Sequence, residues 1–225
     1  MAAHAEVTDA VQDYAKAIWS LGQRDDLPVS TSALAERLHV SPASASAMVK
    51  RLESMGLVER EPYHGVELTP AGKRVALEVL RHHRLLELYL AEALGMSWDR
   101  VHEEAEVLEH AISPAVSELI AAKLGNPTHD PHGDPIPTAE GEIDERPTRA
   151  LADLGPGERG RFTRVSDSNP EMLRYLSDRG IAPGDEVELV GREPFGGPLT
   201  VRAKGREYAL GEQLARAMRM GSAAG

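Results

Sequence analysis

The first half of the chain places apolar side chains at helical spacing. Residues 11–19, 34–38 and 45–52 repeat them every three or four positions, the period of a helix with one buried face. Ser41, Thr69 and Ser113 each stand directly before a proline, and this pairing is typical of a helix N-terminus because the hydroxyl caps and the proline suits the first turn. We therefore predict helices beginning after these residues, including a long helix over 69–94 and another over 97–112.

Two short segments after the third helix alternate like strands. Residues 57–60 and 65–68 are separated by Pro62, Tyr63 and His64, which predict a turn. The predicted order is therefore two helices, a short turn, a capped helix and a two-stranded wing. This is the order of a winged helix-turn-helix, whose third helix enters the major groove of DNA.

The texture changes in the second half. Residues 126–160 hold 6 of the 15 prolines, which indicates a linker or an irregular connection. Strand-like alternation follows at 160–165, 186–190, 199–203 and 207–210, interrupted by a helix that begins after Asn169 and ends at Gly180. The predicted fold class is a mainly α N-terminal part, with a winged helix-turn-helix and a helical dimerisation domain, followed by a small all-β barrel. The predicted boundaries are 1–72 for the DNA-binding domain, 73–140 for the helical domain, 141–154 for a linker and 155–225 for the barrel.

Composition limits the chemistry. The 225 residues carry a net charge of -11 and no cysteine, and 41% of them are hydrophobic. Without cysteine there is no disulfide scaffold, thiol catalysis, iron–sulfur cluster or cysteine-built zinc site, so any metal must be held by oxygen and imidazole nitrogen. No apolar run is long enough to span a bilayer and no secretion signal is recognisable, so we expect a cytoplasmic protein without a membrane partner.

The N-terminal turn of the third helix carries small side chains that let the backbone approach base edges. Hydroxyls there suit phosphates or bases, alanine methyls suit thymine, and nearby basic residues suit phosphates. The candidate DNA-binding residues are Thr31, Ser41, Pro42, Ala43, Ser44, Ser46, Ala47, Lys50, Arg51 and Tyr63. However, residues 1–72 hold 10 acidic against 6 basic residues, so we expect something to neutralise carboxylates before DNA is bound.

The helix predicted over 97–112 contains several residues of the types that bind metal ions. Glu106, Glu109 and His110 share one face, His102 lies one turn earlier, and the preceding helix offers His83 and Glu87 at i, i+4. Each group alone is commonly a solvated surface. Clustered carboxylates repel one another unless a cation lies among them, and hard oxygens with imidazoles suit manganese(II), iron(II) or zinc.

Several segments together resemble the diphtheria-toxin-repressor family of metal-dependent transcriptional regulators. They are Asp13-Tyr14, Ala35-Glu36-Arg37-Leu38, His83-Arg84-Leu85-Leu86-Glu87, Val101-His102-Glu103-Glu104-Ala105-Glu106, Glu109-His110 and Asp134-Pro135-Ile136-Pro137. The resemblance covers nearly the whole chain and implies that the barrel is similar to the FeoA-like domain of longer members. Asp13 and Glu106 stand where the iron-responsive branch has methionine and cysteine, so the chain resembles the manganese-responsive branch.

The resemblance also implies two metal sites. Asp13, His83, Glu106, Glu109 and His110 would form one; Glu87, His132, Asp130 and Asp167 would form the other, and His102 would join either. Lys16 stands where some short manganese regulators have a glutamate, which disfavours a closely bridged two-manganese site through that position.

The expected function is a manganese-dependent repressor, not an enzyme, that binds double-stranded operator DNA as a metal-loaded homodimer and controls metal homeostasis genes. An iron-dependent regulator of the same family and a metal-independent winged-helix regulator are the alternatives. A peptidase is disfavoured because Glu106 stands where a second zinc-binding histidine is needed, and a di-iron enzyme because no matching Glu-x-x-His occurs on another helix. An apolar face is the expected dimer interface; it comprises Val75, Val79, Leu86, Leu90, Leu94, Leu119 and Ile120.

Overall fold

The computed structural model describes residues 7–25, 28–61, 65–144 and 146–222. They belong to two compact units, one made of 1–82 with 137–142 and the other of 83–136 with 143–225. Within the described ranges, no helix is both long and apolar enough to cross a bilayer.

The first unit has the predicted order of a winged helix-turn-helix. Its elements are α1 (Asp9–Asp25), α2 (Thr31–Arg37), α3 (Pro42–Ser54), β1 (Val58–Glu61), β2 (Gly65–Leu68) and the first half of α4 (Pro70–Glu92). The two strands pair antiparallel from Val58–Leu68 to Glu61–Gly65. The core lies between the helices and the wing, where Leu34, Val49 and Leu52 are completely buried. The predicted turn at Pro62, Tyr63 and His64 lies outside the described residues.

The three predicted Ser/Thr-Pro helix starts are confirmed. Ser41 Oγ accepts the Ser44 backbone N–H at 3.1 Å, Thr69 Oγ1 accepts that of Gly72 at 3.1 Å, and Ser113 Oγ accepts that of Val116 at 3.3 Å. Each hydroxyl satisfies a backbone donor that has no partner inside its helix.

The second unit continues α4 and adds α5 (Val101–Leu108) and α6 (Pro114–Lys123). The prediction of one helix over 97–112 is wrong at both ends. At the start, Trp98 packs against the barrel core and Asp99 binds Arg174, which holds the chain in a non-helical turn. At the other end, the Ala111 N–H donates to Leu108 O, and this i→i+3 bond closes the helix before Ser113 caps the next one.

The barrel is a six-stranded antiparallel sheet in the order β3-β8-β4-β5-β6-β7. Its strands are β3 (Arg149–Ala150), β4 (Arg159–Val165), β5 (Glu186–Arg192), β6 (Leu199–Ala203), β7 (Arg206–Leu210) and β8 (Met218–Gly221), with helices α7 (Pro170–Ser177) and α8 (Glu212–Ala217). The predicted fold class is confirmed. The pattern identified α7 and the four longer strands but missed β3, β8 and α8, which are too short to show a period.

The proline-rich segment is packed, contrary to the prediction of an irregular linker. Asp130 and His132 are buried, Ile136 belongs to the helical core, and a Cβ on Gly133 would lie 1.9 Å from Thr163 O of β4. Residues 149–154, placed in the predicted linker, form β3 and a 3-10 turn, and Leu151 is completely buried in the barrel core. Prolines limit regular hydrogen-bonded structure in this segment but do not prevent burial.

Gly72 supports a prediction about the first unit. A Cβ at this helical position would lie 1.9 Å from Leu57 O, so Gly72→Ala should destabilise the protein by roughly 1–3 kcal/mol. Gly22→Ala is the matched control, because its Cβ would meet only Val29 at 3.9 Å and alanine favours a helix. Thermal unfolding measures both; a Gly72→Ala variant as stable as Gly22→Ala would show that this close approach is absent.

Candidate metal centre and DNA-reading helix

His83 and Glu87 lie one turn apart on the buried face of α4. His83 Nδ1 donates to Glu109 Oε2 at 2.6 Å, just after α5. This bond orients the ring so that Nε2 lies 3.1 Å from Glu87 Oε1. Helix α4 therefore places a carboxylate and an imidazole nitrogen side by side in the interior of the second unit.

His102 and Asp167 complete this group. His102 Nδ1 lies 3.1 Å from His83 Nε2, 3.2 Å from Glu87 Oε1 and 3.0 Å from Asp167 Oδ2. Asp167 follows β4, so the barrel contributes a carboxylate to a cluster otherwise built from α4 and α5. We call His83, Glu87, His102, Asp167 and His132 the inner cluster.

His132 faces Glu87 from the proline-rich segment. Its Nε2 lies 2.7 Å from Trp98 O, and a carbonyl oxygen only accepts, so Nε2 carries the proton. Its Nδ1 then lies 3.7 Å from Glu87 Oε2. Both atoms are buried and have no hydrogen-bond partner among the described residues. An imidazole lone pair and a carboxylate oxygen that face each other in a dry interior require a proton or a cation.

Glu106, Glu109 and His110 form a second group at the end of α5, which we call the outer cluster. Glu106 Oε1 lies 4.0 Å from His83 Nδ1, and His110 Nε2 lies 3.4 Å from Glu109 Oε1. Glu109 is buried, whereas Glu106 and His110 are half-buried. His83 thus contacts both clusters through its two nitrogens.

Asp130 organises the loop beside the inner cluster. Its Oδ1 accepts the backbone N–H groups of His132 at 2.8 Å and Asp134 at 2.9 Å, while Oδ2 lies 3.7 Å from Arg84 Nε. Burial, together with the charges of Glu87 and Asp134, raises the pKa of Asp130 well above its usual value despite Arg84. Two backbone bonds on one oxygen give Asp130 a loop-forming role next to His132.

The electrostatics of the inner cluster favour positive charge. Burial opposes ionisation of Glu87, but the charge of His83, hydrogen bonds from His102 and His83, and the facing imidazole of His132 hold its pKa well below the usual range. Burial opposes a charged His102, yet Asp167 and Glu87 raise its pKa to about 10. His132 behaves in the same way, since Glu87 and Asp130 outweigh burial and raise its pKa to about 9. Without a metal, protons supply the positive charge that the carboxylates require.

Family models match three segments that cover most of the chain. Residues 6–66 match the iron dependent repressor N-terminal DNA binding domain, residues 69–138 its metal binding and dimerisation domain, and residues 149–220 the FeoA domain. The chain is 31% identical to the diphtheria toxin repressor of Corynebacterium efficiens, over 96% of each chain.

The chain belongs to the diphtheria toxin repressor family.

Some relatives of this chain are named as iron-dependent repressors and others as manganese-dependent repressors. The iron-dependent repressor IdeR of Mycobacterium tuberculosis is 30% identical, over 96% of this chain and 98% of its own. A solved manganese-dependent transcriptional repressor in complex with manganese is 42% identical with a TM-score of 0.89, covering 95% of this chain and 100% of its own. The manganese regulator SloR has a TM-score of 0.76 at 31% identity, covering 95% and 98%. The relatives are repressors rather than enzymes, and this chain is a metal-dependent transcriptional repressor.

The repressor brings the predicted ligands of its second unit together in two groups that share His83. Its Nδ1 lies with Glu109 and Glu106, as expected, and its Nε2 lies with Glu87 and His102. Glu87 also lies with Asp130 and His132, as expected. His102, which was left open, joins Glu87 and Asp167. Asp13 lies half-buried on α1 of the first unit.

The predicted DNA-binding residues lie largely on an exposed helix face. Ser46 and Thr31 are half-buried, Thr31 at the start of α2, and Tyr63 lies outside the described residues. Ser41 is also engaged as the cap of α3, through the bond to Ser44 described above. The remaining candidates are exposed on or beside α3; they are Ser41, Pro42, Ala43, Ser44, Ala47, Lys50 and Arg51.

Two residues beside the inner cluster were not predicted from the sequence. Trp98 meets His132 across 34 positions of chain, and Arg84 reaches Asp130 and the carbonyl of Pro135. No local spacing identifies contacts made over such separations. The one available hint was that Trp98 is one of 2 tryptophans in the chain and lies four positions before His102.

The raised pKa values support a prediction about pH. At pH 8 metal-free His102 and His132 are mostly protonated, since their pKa values are about 10 and about 9. Manganese(II) added to the chelator-treated repressor should therefore release protons, and its affinity should rise about tenfold per pH unit for each proton displaced. A pH-indicator titration in weak buffer measures the release, with His132→Gln as the variant that releases fewer protons. Binding without proton release, at an affinity that does not change from pH 7 to pH 9, would contradict this electrostatic picture.

Proposed function

We propose that this chain is a manganese(II)-dependent repressor that binds operator DNA as a homodimer. The observation that carries the metal assignment is the buried pair of Glu87 Oε2 and His132 Nδ1, which face each other at 3.7 Å without a hydrogen-bond partner in the described chain. A divalent cation satisfies both atoms at once. The surrounding donors are carboxylates and imidazoles, and the chain has no cysteine, which favours a hard cation such as manganese(II) over a soft one.

The two clusters give the ligand assignment. Glu87, His102, His132 and Asp167, with His83 beside them, would hold one ion, and Glu106, Glu109 and His110, which His83 reaches through Nδ1, would hold another. Asp130 is proposed to support the first group through the loop that it organises, with its carboxylate available as a further oxygen donor. Asp13 remains a predicted ligand on the family resemblance alone. When bound, the ion supplies positive charge to carboxylates that otherwise take up protons.

Metal binding at these clusters would regulate DNA binding by favouring one arrangement of the chain. Helix α4 begins directly after the wing and carries both His83 and Glu87. A metal needs only to bind the DNA-competent arrangement more tightly than the open one. A ratio of about 10⁴, equivalent to roughly 5.5 kcal/mol, is sufficient to make a rare state dominant.

The exposed start of α3 is proposed to read DNA. Proline, alanine and serine side chains there are short, so the helix backbone is able to approach base edges closely. Lys50 and Arg51 are exposed farther along the same helix and would contact phosphates. Because residues 1–72 have 10 acidic and 6 basic residues, charge alone does not drive this binding, and the metal-dependent arrangement is required. The repressor would act in the cytoplasm, where operator DNA is found.

The second copy of the chain is proposed to cover an apolar surface of the second unit. Val79, Leu86, Leu90 and Ile120 of the expected interface are buried in their own chain, so that part of the prediction is wrong. Leu94 and Leu119 are exposed as expected, Leu119 at 70%, and Val107 and Val116 join them at 73% and 43%. The family match to a metal binding and dimerisation domain over 69–138 includes all four residues. Four exposed aliphatic side chains within a segment that matches a dimerisation domain favour an oligomer interface there.

A DNA-binding titration tests the function. Fluorescence anisotropy of a labelled fragment from the repressor's own promoter region would be measured with manganese(II), anaerobic iron(II), zinc or a chelator. We expect tight binding with manganese(II), reversal by the chelator, and a loss of at least about tenfold in manganese response for Glu87→Gln. Glu103→Gln, an exposed carboxylate on α5 outside both clusters, is the control.

Two outcomes of this titration would overturn the proposal. Tight binding only with iron(II) would make the chain an iron-dependent member of the family. Binding that is unchanged by the chelator would make it a metal-independent winged-helix regulator.

The dimer surface gives a separate prediction. Leu119→Glu should raise the dimer dissociation constant roughly 30-fold or more, since it places a charge in an apolar contact. Leu119→Met preserves the apolar surface and should leave the dimer intact. Analytical ultracentrifugation compares the two variants; equal dimer strengths would exclude Leu119 from the interface.

A further inference from the structure

A short turn between α4 and α5 contacts His132 through Trp98. The Trp98 ring stacks on the His132 imidazole, with centroids 5.8 Å apart and planes at 21°. The backbone carbonyl of the same residue accepts the His132 Nε2–H at 2.7 Å. One residue therefore contacts both the face and the far nitrogen of a proposed metal ligand.

The same turn is anchored in the barrel. Trp98 is partly buried against the barrel core, and the next residue, Asp99, accepts a hydrogen bond from Arg174 of α7 at 3.0 Å. Asp99 is buried, while the Arg174 side chain is about half exposed. Two contacts with the barrel thus set the position of the Trp98 carbonyl: the packing of the Trp98 side chain and the ion pair between Asp99 and Arg174.

This arrangement determines which nitrogen of His132 is available. With Nε2–H committed to the carbonyl, Nδ1 is the nitrogen left to bind, and it is the one that faces Glu87 Oε2. An imidazole whose second nitrogen is held by a carbonyl is fixed in both tautomer and ring orientation, and loss of such a partner typically weakens metal binding 10- to 100-fold.

We propose that Trp98 is a positioning residue for metal binding, through which the barrel fixes the tautomer and the orientation of His132. The proposal rests on the proposed metal-binding function. It assigns the barrel a second contribution besides Asp167, made through the Trp98–Asp99 turn rather than through a ligand of its own.

The indole nitrogen allows a clean pair of variants. Trp98 Nε1 is buried and has no hydrogen-bond partner in the described ranges, so Trp98→Phe keeps an aromatic ring without breaking a hydrogen bond. Trp98→Ala removes the ring and its anchoring in the barrel. Arg174→Gln removes the ion pair with Asp99. Because the Arg174 side chain is about half exposed, we expect this variant to fold.

The first measurement uses the metal-free protein. With ¹⁵N-labelled histidine, NMR should show a downfield His132 Nε2–H signal that exchanges slowly with water, assigned by its absence in His132→Gln. The signal should persist in Trp98→Phe and exchange at least tenfold faster in Trp98→Ala and Arg174→Gln. This measurement is independent of metal binding, so it separates failure of the positioning role from failure of the proposed function.

The second measurement is manganese(II) affinity by competition with a chelating dye. We expect Trp98→Phe to remain within about threefold of the wild type and Trp98→Ala to bind at least about tenfold more weakly, with Arg174→Gln changed in the same direction. If Trp98→Ala fails to fold, Arg174→Gln alone decides. An unchanged Nε2–H exchange rate together with an unchanged affinity in the folded variants would overturn the proposal.

Discussion

The burial of Glu87 is the constraint on which the second unit depends. Its side chain is 1% exposed and lies beside Asp130, another buried carboxylate, and beside the half-buried Asp167. A buried carboxylate is tolerated only when positive charge and hydrogen bonds compensate for its lost hydration. Three histidines approach it, yet Oε2 still has no hydrogen-bond partner in the described chain. The fold thus creates a demand for positive charge that its own side chains meet incompletely.

The residues around Glu87 come from four segments of the second unit. Glu87 comes from α4, His102 from α5, His132 from the proline-rich segment and Asp167 from the loop that follows β4. The barrel therefore contributes a carboxylate to the inner cluster through Asp167. The packing of Trp98 against the barrel also explains why α5 starts later than the sequence predicts. Residues 97–100 form a turn that contacts the barrel and do not extend the helix.

The sequence predicted what local spacing encodes and missed what depends on distant contacts. Hydroxyl–proline pairs located three helix starts, and alternation located the wing and the longer barrel strands, since capping and side-chain period are properties of neighbouring residues. The candidate ligands on α4 and α5 were predicted because carboxylate and imidazole at i, i+4 are visible in a helix, whereas Asp130, His132 and Asp167 came from the family resemblance. Spacing did not show that His83 presents different nitrogens to Glu87 and Glu109, because only the fold decides which partner each nitrogen meets. The buried proline-rich loop was misjudged for the same reason, as Asp130 supplies from its side chain the bonds that regular structure would otherwise provide.

The electrostatics of the inner cluster would also lower the affinity of the proposed metal site. A carboxylate-rich environment raises the pKa of His132 to about 9, so at neutral pH a proton occupies the nitrogen that faces Glu87. Displacing a proton held two pH units above neutrality lowers the apparent metal affinity by about 10², or roughly 2.7 kcal/mol. The proposed site would therefore combine a preorganised geometry with a reduced affinity, so that its occupancy would follow the metal supply. A sensor needs both properties, because a site that never empties carries no information, and an unformed site would discriminate poorly between the arrangements of the chain that it must select.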